Sequence, residues 1–411
     1  MRRRLLPVRL APIEGESLSS WVVRLADAHG MSVQALGGWL MGRGRQAFGE
    51  DMDRGSWVEF METLAGATER AFLDVQATTL KSFDGRLWGS LVKNGPARWV
   101  LPVGKVGTFR TAYGVQFCAD CLANDQRPYF RLKWRLAFHV CCPVHHRLLS
   151  DRCGRCAAPV AAHRWRTGQM RRLGTTGIVR CDACGADRLG VDTRIDVPAD
   201  LERTQEEMHS AVECGWSARP ELRLHSLAYF SGSAVLWSLL DDERAASQLR
   251  KVFGLASPPT TTTSAQRYGS FERHDVRYRA WILDCYAKLM SGGVESLFEA
   301  LGSCGFRANE MLRYGATLST AAPYWIWRAT REHLDHSFYV PSDEEIHNAI
   351  SYHLKTSGRT NARVGDICQL LGMKTRSSAR VASLMRAKGL IARRYSVGRD
   401  ELGMQKTAAV A

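Results

Sequence analysis

The sequence predicts a mainly α-helical chain of several domains, interrupted near its middle by a small cysteine-rich module with short β elements. Three observations carry that expectation. Apolar residues recur at helical spacing from residue 13 onward. Four pairs of Cys or His, each with a two-residue gap, crowd into residues 118–184. Residues 341–411 then read as helix, glycine turn and helix under a strong basic excess. At roughly 150 residues per domain, a chain of 411 residues suggests about three domains. Hydrophobic residues make up 45%, enough to bury real cores, which argues against a disordered or fibrous chain.

Residues 13–41 read as two helices. In the first, Leu18, Trp21, Val22 and Leu25 share a face, with Ser17 placed to cap. Gly30 breaks it. Ser32 caps a second helix with Val33, Leu36 and Leu40 on one side. A helix, a short glycine turn and another helix is compatible with a helix-turn-helix, and equally with an ordinary helical hairpin. Residues 42–115 are mixed, with a helical pattern from Trp57 to Leu64.

The central module holds Cys118-Ala-Asp-Cys121, Cys142-Pro-Val-His145, Cys153-Gly-Arg-Cys156 and Cys181-Asp-Ala-Cys184. Two ligands separated by two residues form a tight turn whose side chains converge on one ion. Two such turns complete a tetrahedron, which zinc accepts. Four pairs therefore make two closed structural sites holding two Zn2+ ions. Sequential pairing puts Cys118, Cys121, Cys142 and His145 in the first, and Cys153, Cys156, Cys181 and Cys184 in the second. Interleaved pairing remains open, as does a substitution of Cys141 or His146 for their neighbours. Gly154 and Gly185 stand where such turns want small residues. Cys214, Cys285, Cys304 and Cys368 are isolated and read most simply as buried core thiols.

Residues 196–350 look mostly helical, with Pro258 to Ser264 as an exposed linker. Further on, Val364, Ile367, Cys368 and Leu371 line a short helix that Gly372 ends. A second helix starts near Thr375, with Val381, Leu384, Met385 and Lys388 toward one side, and Gly389 ends it. Leu390 to Tyr395 then read as a strand leading to a wing near Gly398. From Lys355 to Arg394 there are ten basic residues and one acidic, Asp366. This is a winged helix-turn-helix pattern, whose second helix would enter the major groove of double-stranded DNA. Lys374, Arg376, Arg380, Ser383, Arg393 and Arg394 are the candidate DNA contacts.

The net charge of +15 favours a polyanionic partner, and residues 118–190 add 13 basic against five acidic residues. Enzyme classes fare poorly. There is no Gly-x-x-x-x-Gly-Lys-Ser/Thr phosphate loop and no His-Glu-x-x-His helix. No zinc-deaminase signature appears, and no carboxylate pair suggests two-metal catalysis. No catalytic residue is assigned. Pro7 and Arg9 interrupt the only leader-like stretch, and no run of 18 apolar residues suggests a membrane span. A cytoplasmic protein is expected, in which cysteines serve metals before disulfides.

Three stretches resemble the TniQ family of transposon target-selection proteins. The first is Pro12 to Arg24 (Pro-Ile-Glu-Gly-Glu-Ser-Leu-Ser-Ser-Trp-Val-Val-Arg). The second runs from Phe117-Cys118 to Tyr129-Phe130-Arg131-Leu132-Lys133-Trp134-Arg135. The third runs from Cys142 to Cys156. The resemblance covers roughly the first 190 residues. It implies a non-catalytic adaptor that engages target DNA, or a target-recognition complex already on it, and recruits an AAA+ ATPase and a transposase. A transcription regulator with the same DNA-binding parts is the alternative. A homodimer is compatible with either. Beyond residue 200 the resemblance fades, so the winged-helix expectation rests on the residues alone. The expected organisation is therefore an N-terminal helical, helix-turn-helix-like region over 1–115, a zinc-ribbon-like double zinc-binding module over 116–192, a helical region over 196–340 and a basic winged-helix module over 341–411.

Overall fold

Ser17 starts the first helix, α1 (Leu18–Ala28), by accepting the backbone N–H of Ser20 on its hydroxyl. Ser32 does the same for Ala35 in α2 (Val33–Met41). Both caps, and the buried stripe of Leu18, Trp21, Val22 and Leu25, follow the apolar spacing. Gly30 supplies the turn between them with φ of 61°, a conformation that costs side-chain-bearing residues energy. Two further helices, α3 (Val58–Thr68) and α4 (Phe72–Ala77), close this first bundle around Phe60, Leu64 and Val75. These positions come from a computed structural model, which describes residues 5–42, 51–105, 111–112, 114–160, 178–181, 183–187, 195–217, 219, 222–260, 271–308, 311, 322–334, 341–373 and 379–390.

The described residues are mainly helical and divide into two compact units, 1–329 and 330–411. Among the described residues of the first unit, strands form two short antiparallel pairs: β1 (Gly104–Lys105) with β2 (Thr111–Ala112), and β3 (Cys141–Cys142) with β4 (Arg147–Leu148). A short helix, α5 (Ala119–Asn124), precedes β3. Beyond the cysteine region come α6 (Ala199–Cys214), α7 (Ser226–Asp241), α8 (Glu243–Phe253), α9 (Val276–Leu289), α10 (Gly293–Ser303) and α11 (Tyr324–His333). α9 packs on both α6 and α7. Gly232 of α7 lies so close to the Trp325 ring that an added Cβ would meet it at 2.0 Å. Only glycine permits that approach.

An aromatic cluster joins these helices to the cysteine region. Trp99 has ring centroids of Phe271, Trp237, Phe230 and Phe138 at 5.0, 5.1, 5.6 and 5.9 Å. Trp99 itself holds φ of 65°, rare for a bulky residue. Glu272 fixes it there by accepting its backbone N–H at 3.0 Å.

The second unit contains α12 (Asp343–Ser357), α13 (Val364–Leu370) and α14 (Ala379–Ala387). A full capping box starts α12, with Ser342 and Glu345 exchanging hydrogen bonds. Ile346, Ile350, Ile367, Cys368, Val381 and Met385 form its core. The expected apolar faces of the two short helices are thus the ones buried. Lys388, expected beside Val381 and Met385, is instead exposed and touches His347. Gly389 ends the segment with φ of 65°.

Two expectations are corrected here. Cys285 and Cys368 are buried, but Cys214 is exposed and Cys304 only half-buried. Both stand at helix C-termini, just before Gly215 and Gly305 turn the chain at φ of 80° and 82°. Helix ends of this kind face solvent. Pro258 and Thr260 are exposed as expected, and the rest of the linker, Thr261 to Ser264, lies outside the described residues.

Candidate metal centres

The first cluster is assembled by a helix and a hairpin. Cys118 is the N-cap of α5 and Cys121 sits in its first turn, so Leu122 N–H reaches Cys118 O at 3.1 Å. Opposite, β3 ends at Cys142 and β4 begins at Arg147, and these two are paired across the hairpin. Paired backbone hydrogen bonds between Phe117 and Ser150, at 2.8 and 2.9 Å, hold the two pieces together. Arg147 adds an ion pair to Asp120 of α5 at 2.5 Å.

The ligand atoms then converge. His145 Nδ1 lies 3.5 Å from Cys118 Sγ, 3.4 Å from Cys121 Sγ and 3.5 Å from Cys142 Sγ. Cys121 and Cys142 sulfurs are 3.5 Å apart. With metal–sulfur and metal–nitrogen bonds of about 2.3 and 2.0 Å, the edges of a zinc tetrahedron work out at about 3.5–3.8 Å. The donor set and its spacing therefore fit a tetrahedral ion. The other ring nitrogen, Nε2, is 3.3 Å from the Asn124 side-chain amide, the outer support a ligating imidazole uses to fix its orientation.

The neighbours that could have substituted point elsewhere. Successive strand residues face opposite sides, and Cys141 is wholly buried in the core, where burial pushes its thiol up to about 12. His146 turns outward and its Nδ1 is 3.0 Å from Glu202. The three thiols titrate together: hydrogen bonds from Cys118 and then Cys121 lower Cys142, while the same sharing raises Cys118 and Cys121. The lowered sulfur favours the thiolate form that a metal requires.

The second cluster is two copies of one bracket. Cys153 N–H donates to Ala158 O at 2.9 Å, and Ala157 N–H returns to Cys153 O at 2.8 Å. Cys181 N–H donates to Ala186 O at 2.7 Å, and Gly185 N–H returns to Cys181 O at 2.9 Å. Single bridges, Arg152 to Pro159 and Arg180 to Asp187, close each bracket. The sulfurs of Cys153 and Cys184 are 3.8 Å apart, and those of Cys156 and Cys181 3.6 Å. All four ligand atoms lie within 4.8 Å of one another. Burial raises the Cys153 thiol, but backbone N–H groups of Cys156 and Arg155 outweigh it and bring it down to about 7.

The residue after the second ligand adopts a left-handed conformation in three of the four pairs. His146, Ala157 and Gly185 have φ of 51°, 54° and 70°. Gly154 does not; the position that wants glycine is 157, where this chain has alanine.

The two clusters differ in setting. Cys118, Cys121 and Cys142 are at most 5% exposed. Cys156 and Cys184 are exposed, although Cys153 and Cys181 are buried.

Several residues that build the first centre escaped the sequence reading. Glu16, 1% exposed, accepts two bonds from Arg24, one from Ser20 and one from Ile13 N–H. Fully buried Arg279 of α9 donates to Ala137 O and to Gln116 Oε1, while Gln116 donates to His139 O. Arg135 joins Asp51 and Asp53, each at 2.6 Å, and Asp53 caps Ser19 N–H. Glu16 and Arg24 stand inside the opening motif, so their identities were visible although their pairing was not. Gln116 and Arg279 carried no local signal.

Of the candidate DNA contacts, Arg380 and Ser383 are both exposed on α14. Arg380 forms an ion pair with Asp343 at 2.9 Å. Lys374, Arg376, Arg393 and Arg394 lie outside the described residues, as does the expected wing. In the first unit α2 carries no Lys or Arg in its sequence VQALGGWLM, so it offers phosphate no charge of its own.

A mainly helical protein with two Cys/His clusters able to hold metal ions is the class that fold and site define. The TniQ family model matches residues 7–149, about a third of the 411 residues, and that stretch is similar to a family associated with transposition. The match takes in all four residues of the first cluster and ends before Cys153. No curated protein matches the chain. No described helix is long and apolar enough to cross a membrane.

Proposed function

We propose that this chain is a non-catalytic, zinc-containing DNA-binding adaptor that selects transposon target sites and recruits an AAA+ ATPase and a transposase. The observation that carries the reading is the TniQ match over residues 7–149, which runs from the opening motif through the first Cys/His cluster. Two structural zinc ions are held, one by Cys118, Cys121, Cys142 and His145, the other by Cys153, Cys156, Cys181 and Cys184. With four protein ligands each, neither ion keeps an open position for chemistry, and their role is folding energy.

DNA is engaged by the second unit, read as a winged helix-turn-helix. Three features support this. α12, α13 and α14 surround one core. Ala362 N–H donates to Leu390 O at 3.0 Å, the kind of strand pairing that a wing extends. α14 buries Val381 and Met385 and exposes Arg380, Ser383 and Arg386 at three-residue steps. That helix enters the major groove, with Lys374, Arg376, Arg393 and Arg394 reaching phosphate around it. The division into segments 1–115, 116–192, 196–340 and 341–411 is part of the same reading.

The test is binding of the purified chain to labelled duplexes of random, candidate target and transposon-end sequence at two salt concentrations. A preference that survives higher salt supports an adaptor that reads its own site. Equal, weak binding that salt abolishes would move recognition to a partner. Operator binding with no ATPase or transposase associating with the chain would make it a transcription regulator instead.

A further inference from the structure

We propose that the second cysteine cluster is a redox-reactive modification site, at which peroxides form a disulfide and expel the metal while the first cluster stays loaded. This rests on the reading that both clusters hold zinc. Three observations carry it.

The first is access. Oxidants of this class attack thiolate sulfur that solvent reaches. Cys156 and Cys184 are exposed on the second cluster. In the first, no cysteine is more than 5% exposed.

The second is proximity. Every ligand sulfur in the second cluster has the other three within 4.8 Å. A sulfur that peroxide has oxidised therefore finds a resolving thiolate beside it. The first cluster offers three sulfurs and an imidazole, and its buried setting shields all three.

The third is what each metal holds. The backbone hydrogen bonds of Cys153 and Cys181 close within residues 153–158 and 181–186, and the first bracket also touches the unit through Arg152, which binds Asp151 and pairs with Asp275 at 3.8 Å. Metal joins the two brackets. The first cluster is woven into the unit by Gln205, which accepts the N–H groups of Val140 and Cys141, and by Leu148 N–H donating to Ile195 O at 3.1 Å. Loss of the second ion undoes a local segment, and loss of the first would undo the core.

The chemistry balances. Peroxide oxidises the thiolate of Cys156 or Cys184 to a sulfenic acid, breaking the O–O bond and releasing hydroxide. A second thiolate of the cluster attacks that sulfur, forms the S–S bond and displaces a second hydroxide. Two thiolates are oxidised by two electrons and one peroxide is reduced. The remaining two thiolates are too few to close a tetrahedron, so Zn2+ leaves. A dithiol reductant and zinc restore the site.

The experiment treats the full zinc-loaded chain with hydrogen peroxide. It follows released zinc with a chromogenic chelator and maps disulfides by peptide mass. The expected result is loss of one of two zinc ions per chain, in a phase separate from the second. Disulfides should be confined to Cys153, Cys156, Cys181 and Cys184, and both changes should reverse on reduction with zinc. Cys214→Ser, which removes an exposed thiol outside both clusters, should leave the release unchanged. Simultaneous loss of both ions, prior oxidation of Cys118, Cys121 or Cys142, or survival of all four second-cluster thiols would each overturn the proposal. A chain that carries no zinc before peroxide is added would instead overturn the metal reading beneath it, and metal analysis at that stage separates the two failures.

Discussion

The side-chain amide of Gln205 closes a two-way clasp on the backbone of Cys141. Its Oε1 accepts the N–H groups of Val140 and Cys141 at 2.7 and 3.0 Å, and its Nε2 donates to Cys141 O at 2.9 Å. Gln205 belongs to α6, and the next residue along the strand is the candidate ligand Cys142. The clasp thus ties a helix from beyond the cysteine region to the strand that presents the first cluster. Gln205 is 1% exposed, so water cannot replace its bonds.

Gln205→Leu should therefore cost more than three ordinary hydrogen bonds' net worth suggests. It leaves two buried N–H groups and a carbonyl unpaired, each costing about 1–3 kcal/mol. A total loss of about 3 kcal/mol or more is expected in urea unfolding at neutral pH. A cost below about 1 kcal/mol would mean that the strand holds its position without α6.

The left-handed residues after the ligand pairs give a second prediction of opposite signs. Side-chain-bearing residues lose roughly 1–2 kcal/mol in this conformation. Ala157→Gly should stabilise the zinc-loaded chain by up to about 1 kcal/mol, since glycine's extra unfolded-state entropy offsets part of the relief. Gly185→Ala should destabilise it by about 1 kcal/mol through strain alone, since nothing lies within 4 Å of the added Cβ. Zinc competition with a chelator reads both changes. Equal signs would mean that backbone conformation at these positions does not set the stability of the brackets.

How much of this was legible follows from where the physics is local. Ser17 and Ser32 cap their helices and the buried faces of α1, α13 and α14 obey spacing, because a helix records its environment every three or four residues. The ligand groups came together in sequential order because each pair is a turn complete within a few residues. The choice of Cys142 over Cys141 needed the strand to alternate its faces. Gln205, Gln116 and Arg279 were silent because their bonds span separations of 64 and 163 residues, and an isolated polar residue announces no partner. Cys214 and Cys304 misled because cysteine's usual burial says nothing about a helix terminus.

His139 and His209 supply a prediction in pH. Their rings meet with Nδ1 of the first 2.6 Å from Nε2 of the second. Burial, then the charge of Lys133, lowers His139 to about 3, and burial, then His139, lowers His209 well below its usual range. Both are neutral when folded and bind protons near pH 6.5 when unfolded. The unfolded chain therefore takes up more protons as pH falls, and stability present above pH 6.5 is lost progressively down to about pH 3 for His139. Between pH 7 and 5.5 the loss from His139 alone is about 1.3 kcal/mol. His139→Gln should flatten the slope of unfolding free energy over that range. A slope unchanged by the substitution would mean that other groups carry it.

On the proposed reading of the second unit as a DNA-binding module, Arg380 and Asp343 act together. Their ion pair, 2.9 Å long, joins α14 to the acidic first turn of α12, where Asp343, Glu344 and Glu345 follow one another. The two side chains are 50% and 65% exposed, so the pair adds little to stability. Its effect is on what Arg380 offers a ligand, because phosphate must displace a carboxylate to reach it. Arg380→Ala should weaken binding to all duplexes alike and reduce the salt slope by about one unit. Asp343→Asn should do the reverse, strengthening binding at low salt and steepening the slope, because it removes both the competing partner and a negative charge. In the double variant the gain from Asp343→Asn should shrink, since much of it acts through Arg380. If instead Asp343→Asn strengthens binding equally with and without Arg380, the acidic turn repels DNA as a whole. If neither variant changes binding, α14 does not meet the duplex, and the DNA surface must be sought in the first unit.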